Sequence, residues 1–360
     1  MNKIRVGIIG CSNIANEKHL PVLSEMEDVE VAALCDIIPE RACAAQARFA
    51  PGADVYTDYH ELLRDRSIDN VRVLTQNRLH AEIVIEALRA GKQVLCEKPL
   101  ATNYSDAMRM VREAKKADRL LSVGYNHRFD PDAQYVKKEI ESGALGRIYH
   151  AKARVIRRRG CPTHGKFLQR EESGGGALID VGTHAIDLVL WLMDNYRPAY
   201  VVGANYTAFR GQKGISNNWG DVNWDECDVE DSSFAFLVMK DGASVIIESS
   251  WLLNSLEKTG VRYAICGDAG GADTLAGNLR INHIVHDTQV ITTPDFSPDG
   301  VAFTKNGVTA TPAMQEQRAF IDACRGIRPL VTTGEQAAVV AHVIEGIYQS
   351  AQTGKAYYFE

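Results

Sequence analysis

A glycine-bearing turn directly follows the first apolar run of the chain. Residues 4–9 lead into GCSNIA at residues 10–15, a G-x-S-x-x-A variant of the G-x-G-x-x-G/A pattern. Glycine suits the tight turn after a strand, alanine suits close helix–sheet packing, and the helix that starts here offers free N–H groups to a pyrophosphate. Ser12 departs from the pattern because its side chain crowds the phosphate, although its hydroxyl can itself bond to phosphate. The predicted dinucleotide contacts are Gly10, Ser12, Asn13 and Ile14.

Asp36 ends the next apolar run, about 20 residues past the loop, where a ribose-binding acid belongs. Its carboxylate would accept hydrogen bonds from the ribose hydroxyls and repel a 2′-phosphate. Ile37 and Ile38 suit the face of an adenine and supply no positive charge for a 2′-phosphate. Arg41 is the one nearby cation that would favour such a phosphate. The alternative for Asp36 is a helix cap, because a Pro-Glu pair follows. The order of strand, loop and acid favours the ribose, so we predict NAD in preference to NADP, with Ile37 as a further contact.

Lys98 comes just after a short apolar run, residues 93–96. In an open α/β sheet, ligands bind at the carboxyl ends of the strands. A lysine placed there can donate to a substrate hydroxyl oxygen and stabilise developing negative charge. The alternative is an ordinary solvated surface lysine.

Asp180 and His184 are spaced i,i+4, so a helix would place them on one face, with Thr183 nearby. A histidine can accept and return a proton near neutral pH, and Asp180 would either fix the imidazole or touch the substrate. Spacing alone favours a partly buried structural histidine. Three glycines at residues 174–176 favour a functional role for this helix instead. Glycines destabilise a helix start, and close approach of the backbone to a ligand would explain their presence. A flexible linker is the other explanation for them.

Two further segments bear on the substrate. Arg157 to Arg159 form a basic cluster that would recognise an acidic substrate, although solvated charges at a strand end are the preferred interpretation. The loop at residues 217–231 carries Trp219, Trp224 and six acids. The tryptophans would stack on a sugar or pack in a subunit contact. Because the acids disfavour anions, we predict a neutral polyol, with Arg157 among its contacts.

The elements that position these residues fall into two groups. Apolar runs alternate with helical stretches over residues 1–125, which indicates a parallel, doubly wound sheet. The predicted strands there are residues 4–9, 29–35, 71–75, 93–96 and 120–124, with a shorter one near Val55 and helices at 79–90 and 104–117. The later predicted strands are residues 148–158, 199–209, 233–239, 243–251 and 261–266, with helices at 177–193, 314–325 and 334–353.

A D-G turn at residues 241–242 predicts a hairpin within this second group. The fold class is therefore α/β. A doubly wound Rossmann domain spans residues 1–125, and an α+β domain with a mostly antiparallel open sheet spans residues 126–360.

Five segments together resemble the glucose–fructose oxidoreductase, inositol dehydrogenase and rhizopine-catabolism family (GFO/IDH/MocA). They are GIIGCSNIA at residues 7–15, TQNRLH at 75–80 with Gln76 in place of the usual proline, EKP at 97–99, GYNHRF at 124–129 and GGGALIDVGTHAID at 174–187. The resemblance implies hydride transfer between nicotinamide and a hydroxyl-bearing carbon, usually of a sugar or cyclitol. It implies no metal.

The same resemblance assigns roles to individual residues. It places Lys98, Asp180 and His184 at the catalytic positions and implies a cis Lys98–Pro99 bond. The further cofactor contacts that it implies are Thr75, Asn77, His80, Glu97 and Lys98. The substrate contacts that it implies are Tyr125, Asp180, Thr183 and His184.

Bulk composition narrows partners and location. A net charge of −6 argues against nucleic acid or an anionic membrane surface as a partner. No export signal starts the chain, and no apolar run approaches the ~20 residues that span a bilayer. The eight cysteines are scattered without a C-x-x-C pair, which favours a reduced cytoplasmic protein without structural zinc. An exposed antiparallel sheet predicts a homo-oligomer, either a dimer or a tetramer.

Two other functions fit the same motifs. One is a redox-neutral, NAD-dependent glycosidase or lyase, which would oxidise and then re-reduce its substrate. The other is a non-catalytic regulator that senses nucleotides. The presence of Lys98, Asp180 and His184 argues against the regulator, because a sensor needs no proton relay.

Overall fold

A computed structural model describes residues 3–163, 165–212, 214–256, 260–296 and 311–360. The chain divides into two compact units, Met1–Asn126 with Ala310–Ala338, and His127–Thr309 with Val339–Glu360. We predicted the second domain as one continuous piece, residues 126–360, whereas the structure groups residues 310–338 with the first unit. The reason is apolar packing, because Ile321 joins the hydrophobic core of the first unit.

The first unit is built on a parallel sheet. Within the described residues this sheet has six strands in the order β3-β2-β1-β4-β5-β6, the arrangement of a doubly wound dinucleotide fold. The strands are β1 (Ile4–Ile9), β2 (Val29–Cys35), β3 (Asp54–Tyr56), β4 (Asn70–Val73), β5 (Gln93–Cys96) and β6 (Leu121–Val123). Helices cover both faces of such a sheet, which explains why its strands are continuously apolar.

The second unit contains a larger sheet. In the part of the chain that the structure describes, nine strands follow the order β14-β13-β12-β11-β7-β10-β9-β8-β15. They are β7 (Ile148–Ile156), β8 (Pro198–Tyr206), β9 (Ser232–Met239), β10 (Ser244–Ser250), β11 (Gly260–Gly267), β12 (Gly270–Asp273), β13 (Arg280–Val285), β14 (Thr288–Thr292) and β15 (Tyr357–Tyr358). The pairing is mostly antiparallel, as predicted, with β10 and β7 parallel.

The hairpin between β9 and β10 turns at Asp241 and Gly242, as the D-G pair predicts. We did not predict strands β12 to β15. The first of them is rich in glycine, and every residue of β14 is exposed, so neither carries the hydrophobic alternation of a half-buried strand.

The helices flank these sheets. They are α1 (Leu20–Ser24), α2 (Pro39–Phe49), α3 (Tyr59–Arg64), α4 (His80–Arg89), α5 (Tyr104–Ala117), α6 (Pro131–Glu141), α7 (Arg170–Ser173), α8 (Thr183–Met193), α9 (Pro312–Cys324) and α10 (Gly334–Thr353). Turns of π-helix precede α1 and α8, at Ala15–His19 and Leu178–Gly182. The predicted helix at residues 177–193 therefore exists, but its first part is wound more widely than an α-helix.

One helical stretch of the described chain, Arg170–Met193, is long and apolar enough to cross a membrane by composition alone. Of its apolar 18-residue window, 83% is buried inside the protein, so it is a core helix of the second unit.

Candidate active site

The carboxyl ends of neighbouring parallel strands collect the predicted cofactor residues of the first unit. Gly10 follows β1 with φ +97°, and a Cβ added there would lie 2.6 Å from the Leu74 carbonyl oxygen. Glycine is therefore required where β1 passes its neighbour β4. The Asn16 amide donates to the carbonyl oxygens of Cys11 and Ser12, both at 2.9 Å, and so fixes the loop.

Asp36, at the end of β2, is 7% exposed and holds the loop from the side. One carboxylate oxygen accepts the backbone N–H of Cys11 at 2.8 Å, and the other accepts that of Ile38 at 2.9 Å. Asp36 therefore ties the loop to the segment that leads into α2. A carboxylate has about four acceptor sites, which leaves capacity for two ribose hydroxyls. The neighbouring Ile37 is 86% exposed, as a face for adenine requires.

Thr75, just after β4, supplies an independent sign of a ligand. Its hydroxyl oxygen is buried and has no hydrogen-bond partner among the described residues. It stands where the strand order of the sheet reverses, between β1 and β4, and α/β folds bind ligands at this crevice. Asn77 follows at the start of a single 3₁₀ turn that leads into α4. The tight glycine turn, the acid after β2 and this unpaired hydroxyl fit a dinucleotide.

Two residues that we predicted as cofactor contacts, His80 and Glu97, form hydrogen bonds with neighbouring backbone groups. His80 is fully buried, with one ring nitrogen 2.8 Å from the Pro99 carbonyl oxygen and the other 3.1 Å from that of Thr75. Glu97 is also buried, and one of its oxygens accepts the backbone N–H of Lys98 at 3.0 Å. Both side chains therefore position the loops that carry Thr75 and Lys98. The positions of these residues in the chain were predictable, but the direction in which their side chains face was not.

Glu97 belongs to a buried charged group that sequence reasoning missed. Its second oxygen lies 2.8 Å from Lys18 Nζ and 2.9 Å from His19 Nε2. Lys18 also forms an ion pair with Glu316, at 2.9 Å. Burial by itself would raise the pKa of Glu97, but Lys18 and the His19 hydrogen bond outweigh it and hold that pKa well below its usual range. Glu97 is therefore ionised directly beside the candidate catalytic lysine.

Lys98 follows β5 at the same edge of the sheet and is half-buried. The Lys98–Pro99 bond is cis, as the family resemblance implies. Gly124 leaves room for this segment, since a Cβ there would lie 3.0 Å from the Glu97 carboxyl carbon. Tyr125, predicted to touch substrate, is only 2% exposed and so presents almost no free surface.

In the second unit, Asp180 lies in the π-helical turn before α8. Its carboxylate accepts a hydrogen bond from the indole N–H of Trp251 at 2.9 Å, and both side chains are buried. Single turns of π-helix are uncommon and often mark functional sites. The wide turn and the indole together fix the direction of the carboxylate.

The glycines at residues 174–176 have a structural cause. Gly174 ends α7 with φ +85°. A Cβ on Gly175 would lie 2.0 Å from the Tyr348 hydroxyl, and one on Gly176 would lie 1.9 Å from the Glu230 carbonyl oxygen. These glycines give room to protein groups, which accounts for them without a ligand.

Glu230 in turn caps the helical segment that carries Asp180. Its carboxylate accepts the backbone N–H groups of Gly176 and Leu178 at 3.0 Å and the Tyr348 hydroxyl at 2.9 Å. An acid at a helix N-terminus satisfies N–H groups that otherwise lack partners. We counted Glu230 among the acids of the loop at residues 217–231 that disfavour anions, whereas the structure buries its side chain inside the protein.

His184 is half-buried at the start of α8, and Thr183 beside it is fully buried. The His184 ring meets the ring of His127 edge to face, with 5.1 Å between centroids. His127 is itself held by Asp130, whose carboxylate oxygen lies 2.6 Å from Nδ1. His184 thus lies against a second imidazole, that of His127, which Asp130 holds in place. This contact was not predicted from the sequence.

Arg157 follows β7 within the second unit, and its guanidinium lies 4.8 Å from the Trp219 ring centroid. Burial lowers the pKa of Arg157, and the nearby Asp180 carboxylate partly offsets that effect. The charge of the Asp180 carboxylate in the π-helical turn therefore acts on Arg157.

These features define the class of the protein as an oxidoreductase with an NAD-binding Rossmann domain. Two family profiles match, the oxidoreductase family NAD-binding Rossmann fold over residues 4–125 and the GFO/IDH/MocA C-terminal domain over residues 133–273. The chain belongs to the GFO/IDH/MocA oxidoreductase family, as its motifs indicated.

Individual relatives agree with this membership. D-Glucoside 3-dehydrogenase of Escherichia coli K12 is 29% identical over 353 residues, which are 98% of this chain and 96% of that protein. The 1,5-anhydro-D-fructose reductase of Ensifer adhaerens is 34% identical over 215 residues, 59% of this chain and 63% of that protein. Among solved structures, an oxidoreductase domain protein from Kribbella flavida has a TM-score of 0.85 at 21% identity, covering 100% of both chains.

Levoglucosan dehydrogenase in complex with NADH and L-sorbose has a TM-score of 0.83 at 23% identity, again with 100% of both chains covered. At such identities the solved structures establish the fold.

Proposed function

We propose that this protein is an NAD-dependent dehydrogenase that transfers a hydride between a hydroxyl-bearing carbon of a sugar or cyclitol and nicotinamide. The observation that carries the substrate class is the similarity to D-glucoside 3-dehydrogenase, which extends over 98% of the chain and so includes both units. An inositol 2-dehydrogenase of Salmonella typhimurium, 31% identical over 53% of the chain, supports the same class.

The first unit would hold the cofactor and polarise the substrate. Gly10, Asp36 and Thr75 would bind the dinucleotide, which supplies the hydride acceptor when bound. Lys98 would donate to the carbinol oxygen and stabilise the negative charge that develops there. Ionised Glu97, which accepts the Lys98 backbone N–H, supports this role because it fixes the backbone of the lysine.

The second unit would move the proton. His184 would accept the hydroxyl proton as hydride leaves the same carbon, and would return it in the reverse direction. The Asp180 carboxylate, held by Trp251, would orient either the imidazole or the substrate hydroxyl. The capped π-helical turn supports this assignment because it keeps the carboxylate in a fixed place.

We further propose a cytoplasmic homo-oligomer. All eight cysteines are described, and none of them forms a disulfide, which suits a reducing compartment. The open face of the larger sheet exposes Val202 and Phe236, which are directly opposite each other on β8 and β9. Exposed apolar surface of this kind suits a subunit contact. Light scattering of wild type and of Phe236→Glu would test it, and an unchanged mass would refute this contact.

The test of function is a panel of sugars, inositols and sugar acids with NAD or NADP, followed as NADH formation at 340 nm. Lys98→Ala and His184→Asn should each reduce kcat by about 10²–10⁴, the usual cost of losing acid–base or charge stabilisation. Lys116→Ala and His286→Asn are matched controls at exposed positions, and His286 has a positive φ that asparagine tolerates. Folded Lys98 and His184 variants with wild-type kcat would refute the mechanism. A redox-neutral enzyme would consume substrate without net NADH.

A further inference from the structure

A cavity of about 680 Å³ lies within the second unit, just after β7. Its volume is that of a typical small-molecule site. Six of its residues carry the argument: Arg157, Arg158, Arg159, Trp219, Leu253 and Asn254.

The walls of this cavity, which we call the arginine pocket, are tied together by hydrogen bonds. The backbone N–H of Leu253 donates to the Arg157 carbonyl at 3.0 Å, and that of Asn218 donates to the Arg159 carbonyl at 3.1 Å. The Asn217 side chain exchanges two hydrogen bonds with the Cys161 backbone, at 2.9 and 3.0 Å. The loop that bears Trp219 is therefore fastened to the segment that bears the arginines.

Two of the three arginines are held in a defined place. Arg157 stacks on Trp219 and donates to the Gly160 carbonyl at 3.2 Å, and a Cβ on Gly160 would lie 2.7 Å from Arg157 Cδ. Arg159 donates to the Asn254 side chain at 2.8 Å. Arg158 is exposed. These contacts use only part of the five N–H donors on each guanidinium.

The arginine pocket carries positive charge from three guanidinium groups. Among the described residues, no carboxylate comes within ion-pair distance of these three arginines. The carboxylate that most affects Arg157 is Asp180, which is bonded to Trp251. Three acids of the loop at residues 217–231, which we expected to repel anions, form hydrogen bonds with other groups of the protein. Glu230 caps the π-helical turn, Asp228 accepts the Arg170 backbone N–H, and Glu226 accepts the Asn223 side chain.

We propose that the arginine pocket binds an anionic group, a carboxylate or a phosphate, carried by the sugar substrate. Guanidinium groups recognise both anions through paired N–H donors. The apolar wall of Trp219 and Leu253 would contact the carbon skeleton beside that anion. This inference rests on the proposed dehydrogenase function, and it replaces the expected neutral polyol with an acidic sugar.

The test compares four probes, namely methyl glucoside, methyl glucuronide, glucose 6-phosphate and glucose 1-phosphate. Binding is measured by calorimetric titration in the presence of NAD, and turnover is measured at 340 nm. We expect at least one anionic probe to bind ten times more tightly than methyl glucoside, the scale of one charged hydrogen bond. The glucuronide and the two phosphates separate the carboxylate from the phosphate.

Arg157→Gln and the exposed Arg158→Gln should each lower that preference, and the double variant should remove it. Arg197→Gln is the matched control, because Arg197 is exposed elsewhere in the same unit. Circular dichroism and the thermal midpoint confirm that each variant is folded. Equal binding of all four probes, or a preference that survives in the folded double variant, would overturn the proposal.

The outcomes also separate this proposal from the proposed function. If methyl glucoside reduces NAD and binds as tightly as the anions, the dehydrogenase stands and the anion pocket falls. If anions bind with a preference that depends on Arg157 but no probe reduces NAD, the pocket stands and the dehydrogenase falls.

Discussion

Helix α9 contributes a buried glutamine, Gln317, that joins two other buried side chains of the first unit. Its amide oxygen accepts a hydrogen bond from Arg72 Nε at 2.8 Å, and its amide nitrogen donates to His19 Nδ1 at 3.0 Å. His19 Nε2 then carries the proton and donates to Glu97. Each hydrogen bond in this series from Arg72 to Glu97 therefore has one fixed donor and one fixed acceptor. The series ends at Glu97, beside Lys98.

Replacement of Gln317 by methionine keeps the length of the side chain and removes both hydrogen bonds. Arg72 and His19 are both fully buried, so water does not replace the lost partner. An unpaired buried group costs about 1–3 kcal/mol, and a charged group costs more. We therefore expect Gln317→Met to lower the free energy of unfolding by roughly 3–5 kcal/mol.

Urea unfolding would measure this loss. All four tryptophans lie in the second unit, at residues 191, 219, 224 and 251. Far-ultraviolet circular dichroism reports both units, while tryptophan fluorescence reports the second one. We expect the dichroism transition to move to lower urea. Gln349→Met, at an exposed position, is the control and should stay within about 0.5 kcal/mol of wild type. If the two variants unfold alike, the buried chain does not stabilise the first unit as argued.

Three further outcomes follow from the structure. Asp36→Asn removes charge but keeps an acceptor for the loop, so the preference for NAD over NADP should fall about tenfold in affinity titrations; an unchanged ratio would contradict the ribose assignment. Gly176→Ala would bring a Cβ 1.9 Å from the Glu230 carbonyl oxygen, so urea unfolding followed by circular dichroism should show a loss above about 4 kcal/mol, whereas Gly52→Ala, in open space, should change little. Burial lowers the pKa of His19 to about 4, below the ~6.5 of an unfolded chain, so its contribution is present above pH 6.5 and is lost as the pH falls toward 4. Between pH 7 and pH 5 wild type should lose about 2 kcal/mol more than His19→Asn in urea unfolding, and equal losses would exclude this linkage.

The sequence predicted the Rossmann sheet well because its signals are local. The predicted strands 4–9, 29–35 and 93–96 have the bounds of β1, β2 and β5. Each is a continuous apolar run between polar or glycine-containing segments, as buried parallel strands require. Prediction failed for strands without that pattern, such as the fully exposed β14.

The placement of candidate site residues was predictable where it depends on nearby positions in the chain. Gly10 and Asp36 are of this kind, since the turn and the strand end are set by neighbours in the chain. Glu97 is different because its orientation depends on Lys18, 79 positions away, and on a histidine beside that lysine. No periodicity links such positions, and the EKP motif alone says nothing about which way the acid faces.

The glycine run before the helix that carries the candidate catalytic residues is a local destabilising feature with a distant cause. Three consecutive glycines make a helix start unstable, and the sequence offers a ligand or a flexible linker as reasons. The structure supplies a third reason, in which Tyr348 and Glu230 occupy the space that side chains would need. The same Glu230 then satisfies the N–H groups of the helix start, at 3.0 Å. The instability is thus offset by a cap that only glycine admits, and the cap holds the turn that carries Asp180.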